Sequence, residues 1–208
     1  MPLFKLERVQ FKDIQYPTIE IDPKKTTFIC GPSGTGKSTL LKLLNGVASP
    51  DEGKIHYLDE EVASHHALEL RRNVLLVSQS SYLFDDQTIA ENFRSYYSYR
   101  ELPAPSDEEI KNYLRICSLE MPLDTIAYNL SGGERQRVFI AINLSFDSDV
   151  LMLDEPTSAL DERNGTALLE GVKAYVKRQN KSLIVVSHDR SLVERFADDV
   201  VELGGETV

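Results

Sequence analysis

The chain has 208 residues, of which 41% are apolar and 27% charged, and its formal net charge is −10. A globular chain of this size folds as one domain, or as one domain with a small lobe, without disulfides or metals. The acidic balance argues against non-specific nucleic-acid binding, because phosphates need a basic surface. The sequence shows no secretory signal and no apolar run long enough to span a membrane.

The first eighty residues predict strands and one helix. Alternating apolar residues from Leu3 to Phe11, and again at Ile19 and Ile21, indicate short antiparallel strands. Continuous apolar runs and helical spacing follow. These further elements are a strand over 26–30, a helix over 37–45, and strands over 54–58 and 73–78.

The middle of the chain changes character and becomes mostly helical. After it, strand and helix patterns alternate again over 150–153, 162–179 and 183–187. Parallel strands joined by helices predict an α/β core that binds its ligand at the carboxyl ends of the strands. We therefore expect a core formed by residues 1–80 and 147–208, with a helical subdomain inserted over 81–146.

A glycine-rich segment between a predicted strand and a predicted helix has the phosphate-binding pattern GxxxxGK[ST]. Its glycines allow a tight turn whose backbone N–H groups point at phosphate oxygens, and the helix dipole adds positive potential. Lys37 would contact the β- and γ-phosphates, and the Ser38 hydroxyl suits Mg²⁺. The predicted nucleotide-binding residues here are Gly31, Pro32, Ser33, Gly34, Thr35, Gly36, Lys37, Ser38 and Thr39.

Two acidic residues follow the apolar strand over 150–153. Asp154 would orient the water shell of a metal, and Glu155 would polarise the attacking water. A strand that simply ends in solvent gives the same local pattern. The upstream phosphate-binding segment favours the catalytic interpretation.

The sequence LSGGERQ over 130–136 predicts a second anion-binding helix N-terminus. One nucleotide does not need two such helix ends from one chain. A two-fold dimer resolves this, because each ATP then lies between the phosphate-binding segment of one subunit and the LSGGE segment of the other. The residues predicted to contact nucleotide here are Ser131, Gly132, Gly133 and Glu134.

With these motifs the chain resembles ATP-binding cassette (ABC) ATPases over nearly its whole length. The resemblance implies a P-loop NTPase fold with a RecA-like core, an N-terminal antiparallel β-subdomain and an inserted helical subdomain. It implies that Gln79 reaches Mg²⁺ and the attacking water, and that Asp161 crosses the dimer interface. Asp161 also suits the N-cap of the next helix. His188 would contact the γ-phosphate, and ATP and Mg²⁺ are the expected cofactors.

The same resemblance implies an aromatic side chain that stacks on adenine. Two residues upstream of the phosphate-binding segment are candidates, Phe11 and Tyr16. Either could equally be a core aromatic, and the sequence leaves the choice open.

The resemblance also implies partners. The chain looks like a separate ATPase subunit, peripheral on the cytoplasmic face of a membrane, that forms a homodimer or heterodimer and serves integral membrane subunits. The region Gln79–Asn92 resembles the surface that docks such a subunit. With its segments LFDDQTIAEN and SALDERN, the chain also looks similar to short bacterial cassettes paired with a membrane protein implicated in export of a metal such as iron.

Two alternatives stay open. One is a non-transport ABC ATPase that acts on nucleic acid or ribosomes, against which the acidic charge and the lack of a coiled-coil insertion or a second cassette argue. The other is a cassette that senses ATP without turnover, against which Lys37, Glu155 and His188 argue.

Overall fold

The computed structural model describes residues 1–204. The last four residues of the expected core, 205–208, lie outside that part. The elements in chain order are β1 (Phe4–Phe11), β2 (Ile14–Gln15), β3 (Ile19–Ile21), β4 (Thr26–Cys30), α1 (Lys37–Leu44), β5 (Glu52–Tyr57), β6 (Glu60–Glu61), α2 (Ala67–Asn73), β7 (Val74–Val77), α3 (Ile89–Tyr99), α4 (Asp107–Ile116), α5 (Gly132–Leu144), β8 (Val150–Asp154), α6 (Glu162–Arg178), β9 (Ser182–Val186), α7 (Arg190–Phe196) and β10 (Asp199–Glu202).

An antiparallel sheet forms from the N-terminal strands, as the alternating pattern predicts. Its strand order is β2-β1-β5-β6. β2 pairs with the end of β1 at Gln10 and Phe11, and β3 pairs with the start of β1 from Phe4 to Leu6. Along β1 the side chains of Phe4, Leu6 and Val9 are buried, and the pairing of Leu6 with Ile55 fixes the register with β5. A bulge between Glu7 and Gln10 shifts that register, which keeps Val9 on the buried face.

A second sheet is wholly parallel, with the strand order β10-β4-β9-β8-β7. β9 lies between β4 and β8, so the carboxyl ends of these three strands meet at one edge. The segments that follow them, which begin at Gly31, Glu155 and Ser187, therefore start side by side. These findings confirm the predicted α/β fold.

α1 links the two sheets through one apolar cluster. Leu40, Leu41 and Leu44 have no exposed surface, and they pack with Phe4 of the antiparallel sheet and Met152 of the parallel sheet. Each buried leucine contributes roughly 1.5–3 kcal/mol to the free energy of unfolding. This cluster holds the first turn of α1 in place beneath the glycine-rich segment.

Two compact units are present. The first comprises Met1–Val77, Ser148–Glu155 and residues 176–204, and it contains both sheets. The second comprises Ser78–Asp147 and Pro156–Tyr175, and it is helical. Segment 156–175, which the sequence pattern grouped with the core, thus belongs to the helical unit.

The packing of α6 explains that grouping. A Cβ on Gly171 would lie 2.0 Å from the Ile116 carbonyl oxygen, and the Tyr113 and Tyr175 rings lie 6.2 Å apart. Helical periodicity shows which face of α6 is buried but not which neighbour covers it.

α5 is the central helix of the second unit. All its residues from Gln136 to Leu144 are buried, and Arg137 donates a 2.7 Å hydrogen bond to the Ser118 carbonyl. Across residues 1–204, none of the helices combines the length and the apolar character that a membrane span requires.

Candidate functional site

The glycine-rich segment joins β4 to α1 at the carboxyl edge of the parallel sheet. Gly36 has φ 88°, and a Cβ there would lie 2.6 Å from the Tyr16 hydroxyl. Gly31 has φ 145°, and a Cβ there would lie 2.2 Å from the Leu203 carbonyl oxygen. Both positions therefore exclude any residue with a side chain, which explains the two outer glycines of the motif.

The Lys37 side chain lies back over this loop and is only 8% exposed. Its Nζ donates to the carbonyl oxygens of Gly31 at 2.9 Å and Pro32 at 2.8 Å. The Thr35 hydroxyl donates to the same Pro32 oxygen at 2.9 Å. Ser33 and Gly34 are exposed, and Thr39 is half-buried. The loop therefore holds a buried ammonium group beneath an exposed tip.

Ser38 and Asp154 come together beside the loop. The Ser38 hydroxyl donates to Asp154 Oδ1 at 3.0 Å. Burial, with a smaller contribution from the charge of Glu155, raises the pKa of Asp154, while the bond from Ser38 opposes that rise. A hydroxyl beside a desolvated carboxylate is a donor set that suits a hard cation such as Mg²⁺. Among the described residues no group of three or more His, Cys, Asp or Glu side chains could hold a metal, so phosphate oxygens would have to complete its coordination.

Glu155 and His188 form the next pair along the same edge. Glu155 Oε1 lies 3.7 Å from His188 Nδ1, and the Glu155 N–H donates to the Val186 carbonyl at 3.1 Å. Glu155 has φ 49°, a left-handed conformation that costs a non-glycine residue roughly 1–2 kcal/mol. Strain of this kind is typical of functional positions, because the surrounding structure must enforce it. Here the bond to β9 turns the chain so that the carboxylate meets His188.

Gln79 is exposed and lies two residues after the end of β7, at the start of the second unit.

The LSGGE segment forms the N-terminus of α5 as predicted, and Ser131 is its N-cap. Glu134 closes a capping box, since its carboxylate accepts from the Ser131 N–H at 2.9 Å and from the hydroxyl at 2.7 Å. These bonds lower the pKa of Glu134. The structure thus gives Glu134 a capping role, and Ser131 and Gly132 are the exposed residues of the segment.

Gly133 and Asp161 have structural roles in the second unit. A Cβ on Gly133 would lie 2.7 Å from Leu160 Cδ2 and 3.0 Å from the Ala159 oxygen, so glycine permits this close approach. The Asp161 carboxylate accepts from the Asn164 backbone N–H at 2.8 Å and caps α6. Its side chain is exposed.

The two aromatic candidates for the adenine platform differ in environment. Tyr16 is 5% exposed, and its hydroxyl donates to the Gly36 carbonyl at 3.0 Å. Burial raises the pKa of Tyr16 to about 12. Tyr16 therefore supports the glycine-rich loop from below and has no free ring face for a ligand. Phe11 is half-buried at the end of β1 and remains the candidate for stacking.

Sequence reasoning missed the residues that fix the 84–88 loop. Asn92 is fully buried and bonds to both ends of this loop, and Arg135 pairs with Asp85 at 2.6 Å. A polar residue on a helix is usually solvent-exposed, so the pattern gave no signal for either contact.

Comparisons with known proteins agree with this geometry. Residues 14–158 match the family model described as ABC transporter. A phosphate import ATP-binding protein of Natronomonas pharaonis is 37% identical over 199 residues, which cover 89% of this chain and 69% of that protein. A carnitine transport ATP-binding protein of Listeria monocytogenes is 34% identical over 88% of this chain, which spans only 47% of that relative.

A solved structure gives the same result. A dimeric ATP-binding cassette in a post-hydrolysis state, bound to ADP and Pi, superposes with a TM-score of 0.82. It is 27% identical, and the match covers 96% of this chain and 94% of that one. The chain therefore belongs to the ABC transporter family and is a nucleotide-binding ATPase domain of that family.

Proposed function

We propose that this chain binds ATP with Mg²⁺ at the carboxyl edge of its parallel sheet, hydrolyses it in a head-to-tail dimer, and drives separate membrane subunits. The observation that carries the proposal is the joint placement of Lys37, Ser38 with Asp154, and Glu155 with His188 at one sheet edge. These are the groups that phosphoryl transfer to water requires: a phosphate clamp, metal ligands and a base.

Each side chain has one role in this proposal. Lys37 is already desolvated in the loop, so its charge would act strongly on the β- and γ-phosphates. Glu155 would orient the attacking water and accept its proton, while His188 holds the carboxylate and contacts the γ-phosphate. The exposed Gln79 would contact the metal and the attacking water. Phe11 would stack on adenine.

Ser38 and Asp154 would hold Mg²⁺, because their oxygens already converge and the carboxylate is desolvated. Bound there, the ion would neutralise charge that develops on the phosphates.

The LSGGE segment supports the dimer. Ser131 and Gly132 are exposed at the N-terminus of a 13-residue helix, where backbone dipoles favour an anion. Glu134 already caps that terminus, so only a strongly charged group such as a triphosphate would compete for it. Asp161, exposed at the start of α6, would lie at the same dimer interface. The solved cassette that the chain resembles is itself dimeric.

The partner membrane protein would dock on the region Gln79–Asn92, and this chain would lie on the cytoplasmic face of the membrane. The comparisons give no support to iron export. Cargo would be selected by the membrane subunit, since a shared fold does not determine a substrate.

Replacing Glu155 with glutamine tests the hydrolytic part of the proposal. The variant should bind ATP and hydrolyse it at least ~10²-fold more slowly, because it lacks the base. A phosphate-release assay measures the rate, and gel filtration with ATP should show a stable dimer. Glu162→Gln, on the exposed first turn of α6, is a control that should keep the wild-type rate. A wild-type rate of hydrolysis in Glu155→Gln would show that Glu155 is not the catalytic base.

A further inference from the structure

Arg135 joins three parts of the second unit. Its guanidinium Nη2 lies 2.6 Å from Asp85 Oδ1, and Nη1 donates to the Ala127 carbonyl at 2.8 Å. Its backbone N–H donates to the Ser131 carbonyl at 2.9 Å. A planar guanidinium that bonds two acceptors fixes their relative positions better than a flexible ammonium does. The first turn of α5 is therefore fastened to two neighbouring segments.

The loop that carries Asp85 is itself rigidly held. The buried Asn92 side chain accepts from the Phe84 N–H at 2.8 Å, and its amide donates to the carbonyls of Phe84 at 3.1 Å and Thr88 at 3.0 Å. The Tyr128 N–H donates to the Asp85 carbonyl at 3.0 Å. Both the backbone and the side chain of Asp85 are thus fixed.

Exposed aromatic side chains lie around the same loop. Tyr82 is 65% exposed and Tyr99 is 76% exposed, and the Phe84 ring stacks on Tyr99 at 6.1 Å. Exposed aromatic rings are typical of protein contact surfaces. The loop therefore has an outward face that suits a partner, while Asp85 connects it to α5.

We infer that Asp85 is a positioning residue for the nucleotide-facing segment Ser131–Gly132 and acts on it through Arg135. The inference rests on the proposed function, in which this segment meets the ATP of a second copy. Because Asp85 belongs to the loop assigned to the membrane subunit, a shift of that loop moves the first turn of α5. The ion pair thereby links partner docking to ATP-dependent dimerisation.

If the ion pair only stabilised the fold, removing it would lower the melting temperature. The Asp85 side chain is 62% exposed, and ion pairs in such positions contribute little to stability. Removing it should then change neither folding nor ATP binding by a single chain. A positioning role predicts that only dimerisation changes.

The experiment uses the full chain in a Glu155→Gln background, where ATP should accumulate the dimer. Asp85→Ala should raise the dimer dissociation constant at least about fivefold, a typical coupling between linked events. Analytical ultracentrifugation with ATP measures that constant. Binding of a fluorescent ATP analogue to the dilute chain and the melting temperature should both match the background chain.

Two matched variants make the result specific. Asp86→Ala removes the same charge from the exposed neighbouring position and should dimerise normally, and Asp85→Glu should restore dimerisation because it keeps the carboxylate. Equal dimerisation of Asp85→Ala and its background, or equal loss in Asp86→Ala, would overturn the positioning role. A background chain that stays monomeric with ATP would instead overturn the proposed function on which the inference rests.

Discussion

The two regions of this chain that are proposed to face nucleotide differ in how many of their side-chain contacts lie within the site itself. At the sheet edge, Lys37 bonds to its own loop, Ser38 to Asp154, and Glu155 approaches His188. At the LSGGE segment, the side-chain bonds of Ser131 stay within the first turn of its own helix. The groups of the first region thus contact one another within one chain. Under the proposed function, the second region acts only when another molecule supplies the anion. Variants of the two regions should therefore fail in different ways.

The largest expected effect is at the sheet edge. Lys37→Ala should lower ATP hydrolysis at least ~10²-fold, because a positioned donor to the reacting phosphate is worth that much. ATP binding by the isolated chain should also weaken, measured by titration with a fluorescent ATP analogue. Lys111→Ala, on the exposed face of α4, removes the same kind of charge away from the site and should behave as wild type. Normal binding and turnover in Lys37→Ala would contradict the proposed role of Lys37 as a phosphate clamp.

The LSGGE segment should fail differently. A Cβ on Gly132 would have no atom within 4 Å, so Gly132→Ala should fold normally and bind ATP normally as a single chain. It should nevertheless hydrolyse ATP at least about tenfold more slowly, because the added methyl group blocks close approach of phosphate to the helix end. A phosphate-release assay and binding to the dilute chain separate these two effects.

Gly133→Ala is the matched comparison for this prediction. Its Cβ would lie 2.7 Å from Leu160 Cδ2, so its melting temperature should fall as well. Turnover at the wild-type rate in Gly132→Ala would show that the LSGGE segment does not contact the reacting nucleotide, and it would contradict the proposed difference between the two regions.

The same contrast explains what the sequence could predict. Local spacing predicts contacts between residues near in sequence, such as the glycine-rich turn and the Ser131 capping box. The alternation of strands and helices predicts the α/β fold. The meeting of Asp154 with Ser38 follows once the end of β8 and the start of α1 are both placed at the carboxyl edge of the parallel sheet.

Side-chain contacts between distant segments could not be predicted in this way. The burial of Tyr16 against Gly36 depends on where β2 ends relative to α1, which no periodicity specifies. The pairing of Asp85 with Arg135 depends on a loop conformation, and the grouping of 156–175 with the helical unit depends on which helix covers α6.

A smaller effect is expected from the adenine platform. Phe11→Ala should weaken ATP binding about tenfold, since stacking of a base on an aromatic ring is worth about 1–3 kcal/mol. Isothermal titration measures the affinity. Tripolyphosphate, which lacks the base, is the control ligand, and its affinity should be unchanged. An equal loss for both ligands would show that Phe11 supports the loop and does not contact adenine.

The smallest effect is expected at Tyr16. Tyr16→Phe removes one hydrogen bond, which contributes about 1 kcal/mol to the free energy of unfolding. The loss should be limited, because the Gly36 carbonyl still accepts from the Leu40 N–H at 2.7 Å. ATP affinity should stay within about twofold of wild type, as measured by titration, since the ring itself remains. A loss as large as that of Phe11→Ala would place the Tyr16 hydroxyl on the nucleotide.

The difference in free energy of unfolding between wild type and Tyr16→Phe should also depend on pH. Burial raises the pKa of Tyr16 to about 12 in the folded chain, whereas an unfolded tyrosine titrates near 10. Between these values the unfolded chain loses the proton first, so this stabilising contribution is complete below about pH 10 and is lost as the pH rises toward 12. Urea unfolding at pH 8 and pH 11 should therefore show a smaller difference in free energy of unfolding between wild type and Tyr16→Phe at the higher pH. A difference that does not shrink would mean that the hydroxyl is solvated in the folded chain, and the loop would then need another support.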